Sequence, residues 1–106
     1  MAWIILLIAG LLEIVWAFAM KKSDGFTVLM PSIVTIVTVL ISFGMLAVAM
    51  KSLPLGTSYT IWTGIGAAGA FIAGAAFLGE TLSPMRVLAA AMIIGGIILM
   101  RLASAE

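Results

Sequence analysis

The stretch AWIILLIAGLLEIVWAFAM, Ala2–Met20, decides the fold. It is an unbroken apolar run that carries one acidic residue, Glu13. A membrane-crossing helix needs roughly 20 apolar residues, at about 1.5 Å of rise each across about 30 Å of hydrocarbon. The run meets that length, and Lys21-Lys22-Ser23-Asp24-Gly25 stops it with a polar turn. Three more runs follow, at about 28–50, 55–78 and 85–102. Lys51-Ser52-Leu53-Pro54 and Gly79-Glu80-Thr81-Leu82-Ser83-Pro84 separate them. Pro31 falls in the first turn of the second run, where a missing N–H costs little. Ser83 and Pro84 form a good N-cap and first-position pair. The runs are long, continuous and not alternating, which excludes a strand barrel. The expected architecture is an all-α membrane unit of four helices that fills residues 1–106.

Composition agrees. Of 106 residues, 65% are hydrophobic and 8% charged. A soluble domain is about half apolar and about a quarter charged. The chain has no cysteine and no histidine, so disulfides, thiolate and imidazole metal sites and histidine acid–base chemistry are excluded. No metal, cofactor or enzymatic activity is expected, since no nucleophile–base pair is visible. A net charge of +1 offers nothing to nucleic acid. Ala17-Phe18-Ala19 has the form of a signal cleavage site. No Lys or Arg precedes the run and Glu13 sits inside it, so cleavage is not expected.

Lys and Arg in loops set orientation. Lys51 and Arg101 fall on the side of the N-terminus, against Lys21, Lys22 and Arg86 on the other. This near-balance favours insertion both ways up, which would let two copies pair antiparallel. The alternative is orientation by other signals.

A carboxyl near the bilayer midplane costs several kcal/mol unless neutralised, paired or hydrated, so Glu13 reads as functional. A structural ion pair would need a cation at the same depth, and all five cations sit at span ends. A carboxyl that takes up either a proton or a cation is the least machinery of a proton-coupled exchanger. Leu6, Ala9, Gly10, Trp16, Ala17 and Met20 share the face of Glu13. Their small members either leave space beside the carboxyl or allow close helix packing. Thr35, Thr38 and Ser42 form a hydroxyl stripe on the second span. They either serve the carboxyl or bond back to their own helix, with Ser42 nearest in depth to Glu13. Tyr59 and Trp62 share a face of the third span. Tyr59 can be an interfacial belt residue, whereas Trp62 lies deeper and with Trp16 can offer a ring to a cation. Gly64 and Gly66 mark a candidate helix bend. Ala89 and Gly96, seven apart on the fourth span, read as a packing seam between subunits. An antiparallel pair would bring two Glu13 carboxyls together and couple their titrations.

These residues carry a resemblance over essentially the whole chain. Glu13, Leu-Pro-Leu-Gly-Thr at Leu53–Thr57, Tyr59 and Trp-Thr-Gly-Ile-Gly at Trp62–Gly66 resemble the small multidrug resistance transporters. The opening Met-Ala-Trp-Ile-Ile and Gly10–Ala17 are most similar to the guanidinium-exporter branch. The quaternary-ammonium branch typically lacks a Trp one turn after the Glu and often has Tyr where Val39 stands. The resemblance implies an antiparallel homodimer in the bacterial inner membrane that exchanges protons for guanidinium. It implies Glu13 as the shared proton and substrate site, lined by Gly10, Trp16, Ser42, Tyr59 and Trp62. The alternatives are a multidrug exporter of quaternary ammonium or other lipophilic cations, or a ring-forming proteolipid subunit, which usually has two spans. Three positions depart from the family pattern. Ser58 and Thr60 stand where alanines are common, and Ala89 where the multidrug branch often has Gly.

Overall fold

The computed structural model describes residues 1–103; the tail 104–106, expected as the end of the unit, lies outside the described residues. Four helices follow in chain order: α1 (Ala2–Lys22), α2 (Leu29–Ala49), α3 (Leu55–Phe77) and α4 (Pro84–Ala103). Each is long and apolar enough to cross a membrane, and the chain is a multi-pass membrane protein. Lys21 and Lys22 end the apolar run but not the helix. They form the last turn of α1, where cations oppose the partial negative charge of the helix C-terminus.

Local chemistry explains the breaks. Ser23 Oγ donates to Met20 O (2.6 Å) and accepts from Phe26 N–H (3.0 Å), closing α1. Asp24, Gly25 and Phe26 then take positive φ of 51°, 71° and 68°, which reverses the chain. Pro31 occupies the third position of α2, before its helical N–H is needed. Pro54 is the extended residue before α3. Ser83 Oγ accepts from Arg86 N–H (3.2 Å), so the Ser83–Pro84 pair caps α4 as expected.

The four helices form a slab 43 × 34 × 16 Å. α1 packs on α2 and α3, whereas α4 packs on α3 alone at the backbone level. The core is correspondingly small. Leu6, Ala9, Leu46, Ala49, Ile61 and Trp62 are buried together, with Ile97 and Met100 of α4 against them. All six lie toward the end of the slab that holds the chain start and the α2–α3 turn. There Arg101 stacks over the Trp3 ring at 4.3 Å, placing the end of α4 beside the start of α1.

Candidate functional site

Glu13 sits in the middle of α1, and its side chain crosses to α3. It lies so close to the Gly66 backbone that a Cβ there would collide with Oε1 and Cδ of the carboxyl. Only glycine permits this approach. Oε1 is buried and has no hydrogen-bond partner among the described residues. A buried acceptor oxygen without a partner is available to a proton or to a donor-bearing ligand.

Gly64 serves a second close contact, one helix over. A Cβ there would stand 2.8 Å from Cδ1 of Ile97 on α4. The Gly64–Gly66 step, expected as a bend, is continuous helix in this conformation. Its two glycines admit α4 on one side and Glu13 on the other. Gly10 lets α3 approach closely. A Cβ there would meet Ile65 at 2.8 Å, so the close-packing reading holds for it.

The hydroxyl stripe divides. Thr35 Oγ1 donates to Pro31 O (2.8 Å) and Thr38 Oγ1 to Val34 O (2.6 Å), so both bond back to their own helix. Ser42 is fully buried and reaches across helices instead. Its Oγ donates to Ala9 O (2.8 Å) and accepts from Trp62 Nε1–H (3.0 Å). One hydroxyl thereby joins α1, α2 and α3. Its single proton is committed to Ala9, so it does not donate to Glu13 here. The partner it takes, a backbone carbonyl, carries no side-chain signal that sequence could have revealed.

Trp62 is buried and anchors a run of rings. Tyr59 lies 5.7 Å from it, tilted, and Phe43 lies 5.6 Å away, edge-on. Phe43, missed by the sequence reading, lines with Tyr59 and Trp62 an apolar groove of about 380 Å³ on the α2–α3 face. Tyr59 is half-exposed at the edge of this wall. Trp16, one turn beyond Glu13, is partly buried, and its Nε1–H has no partner among the described residues. Two unpartnered polar groups of opposite character, an acceptor and a donor, therefore stand one turn apart on α1. Ala89 and Gly96 are exposed on α4; Ala89 lines a small cavity against Ala67, Ala68 and Phe71 of α3, and nothing lies within 4 Å of a Cβ placed on Gly96. Among the described residues no acidic cluster could hold a metal ion.

Comparison with known proteins adds to this geometry. The family described as Small Multidrug Resistance protein matches residues 1–93. A guanidinium exporter of Salmonella typhimurium is 56% identical over 104 residues, 98% of this chain and 99% of the relative. Guanidinium exporters of Citrobacter freundii and Escherichia coli are 54% and 53% identical over the same coverage.

Proposed function

The chain belongs to the Small Multidrug Resistance protein family, and on that premise we propose that it exports guanidinium in exchange for protons. The observation that carries this reading is the Glu13 carboxyl, held against Gly66 midway along α1 with a buried oxygen that has no partner among the described residues. The names of the relatives point to the same cargo.

Guanidinium is planar, permanently charged and rich in N–H donors that meet a carboxylate as a two-toothed fork. A proton on Glu13 removes that acceptor, so proton and guanidinium exclude one another and their movements are coupled. The aromatic run of Trp62, Tyr59 and Phe43 supplies ring faces for the cation. Trp16 Nε1–H, without a partner among the described residues, is a donor available to the carboxylate. Ser42 reaches the carboxylate only by releasing Ala9 O, which gives its hydroxyl two alternative partners in a transport cycle. A bend at Gly64–Gly66 would move the two halves of α3 against one another and so shift Tyr59 and Trp62 relative to Glu13.

A second copy of the chain, inserted antiparallel in the bacterial inner membrane, completes the chamber. The chain by itself buries only a small core, and its near-balanced loop charges permit both orientations. The bare Ala89–Gly96 face of α4 is the seam offered for that contact. Alternating access then arises as the two copies exchange conformations.

The test is proton flux in proteoliposomes of this chain alone, with guanidinium added outside. Wild type is expected to exchange, and Glu13→Gln to lose exchange by more than about a hundredfold, the loss of a desolvated charge partner. A Glu13→Gln protein that still moves guanidinium against a proton gradient refutes the site. The aromatic groove favours one second reading, export of lipophilic quaternary ammonium, which flux driven by that cation and not by guanidinium would establish.

A further inference from the structure

A cavity of about 340 Å³ lies between the C-terminal halves of α1 and α3. Ala17, Ala67 and Ala70 line its inner part, and Gly74, Lys21 and Glu80 its outer part. Ala17 is one turn past Glu13, and Ala70 is one turn past the Gly66 that Glu13 touches. The inner end therefore stops a single helical turn, about 5.4 Å of rise, from the site. The outer end carries two charged side chains, both exposed. The alanine methyls share the lining with the Phe18 and Phe71 side chains, so the width of the cavity comes from the small residues between those rings.

The mouth is built to favour a cation. α1 ends at Lys22 and α3 at Phe77, so both helices direct partial negative charge there. Glu80 is folded inward. Gly79, at φ 69°, reverses the chain, and Glu80 N–H donates to Gly74 O at 3.2 Å. The carboxyl then lies on the Gly74 backbone, where a Cβ would collide with Oε1. Two glycines thus set the position of a surface carboxylate. Lys21 lines the same cavity without an ion pair to Glu80 among the described residues, so its positive charge competes with an incoming cation through its field alone.

We infer that this cavity is the water-filled approach to Glu13, and that Glu80 captures guanidinium at its mouth in competition with Lys21. This rests on the proposed exchange of guanidinium for protons. In an antiparallel pair each membrane face carries one such mouth. A guanidinium is weakly hydrated and presents N–H groups to both the carboxylate and the helix-end carbonyls, whereas an ammonium is a strongly hydrated point charge. A quaternary cation has no N–H and gains only Coulomb attraction.

Flux measurements in proteoliposomes test the mouth. Glu80→Gln should raise the guanidinium concentration for half-maximal flux about fivefold and flatten its dependence on ionic strength, with a smaller effect on maximal flux. Lys21→Gln should shift half-saturation the opposite way. Unchanged half-saturation and salt dependence in Glu80→Gln, or a fall in maximal flux alone, overturns the capture role. The absence of native cysteine permits a second measurement that does not depend on transport. Ala70→Cys should react with a charged, membrane-impermeant thiol reagent and be slowed by guanidinium. Ile72→Cys, on the exposed face of α3, should stay inert. An inert Ala70→Cys overturns the water-filled path. If wild type moves no guanidinium at all, the proposed function has failed, and the cysteine reaction alone decides the cavity.

Discussion

The two ends of the slab are built on different rules. Toward the chain start, Leu6, Ala9, Leu46, Ala49, Ile61 and Trp62 interlock, and one buried hydroxyl joins three helices. Toward the α1–α2 and α3–α4 turns, alanines and glycine leave a cavity, and the main ring contact is Phe18 edge-on to Phe77 at 6.0 Å. Glu13 lies at the junction. Packing in a membrane has no hydrophobic driving force between helices, so dispersion and hydrogen bonds hold the first end together. The second end gives up those contacts, and what it gains is a route to the carboxyl. One end holds the helices in register so that the other can remain open and able to move.

This division is open to measurement. The largest difference is expected between Leu6→Ala and Phe18→Ala. Leu6 is 1% exposed in the interlocked end, and its truncation should lower unfolding stability in detergent by about 2–4 kcal/mol. Phe18→Ala at the open end should cost less than half as much, and equal losses would show that the ends are alike. Ser42→Ala comes next. It leaves the buried Trp62 N–H unpartnered and should cost about 1–3 kcal/mol, read as a lower melting temperature and a shifted Trp emission. At the junction, Gly66→Ala should cut flux by more than about tenfold, because the new Cβ displaces the Glu13 carboxyl. Gly44→Ala is its control. Nothing lies within 4 Å of a Cβ there, and helix propensity should make it more stable by up to about 1 kcal/mol. The smallest effect belongs to Ser58→Ala. Ser58 is buried, but its Oγ donates to the N-cap carbonyl Pro54 O at 2.7 Å, which also accepts from Ser58 N–H, so this acceptor is not orphaned; stability should move by about 0.5 kcal/mol and flux should not change. A change of substrate range in Ser58→Ala would show that this departure from the family pattern reaches the site.

Glu13 was legible because a carboxyl in an apolar run stands out whatever surrounds it. The turns were legible because Pro, Gly and Ser act locally, as Ser83 on Arg86 N–H shows. The hydroxyl stripe was legible only as alternatives. Thr35 and Thr38 took the local one and Ser42 the distant one, although all three lie at helical spacing on α2. Burial does not separate them, since Thr35 is buried like Ser42; what differs is that Ser42 alone meets a carbonyl of α1 and the Trp62 N–H of α3, and spacing along one helix carries no information about which neighbour arrives. Gly64 and Gly66 read as a weak point for the same reason. A glycine in a helix looks alike whether it admits a bend or a neighbour.

The chain order of apolar runs and breaks therefore determined four crossing helices, their near-balanced charges and a single mid-membrane carboxyl. These follow from solvation and local backbone chemistry, which act residue by residue. Tertiary structure decided that Glu13 rests on Gly66, that Ser42 spends its proton on Ala9, and that Glu80 turns back over Gly74 toward the cavity. Each is a contact between segments distant in sequence or folded back on themselves. Such contacts depend on which surfaces approach within a few ångströms, a pairwise property that no single helix contains.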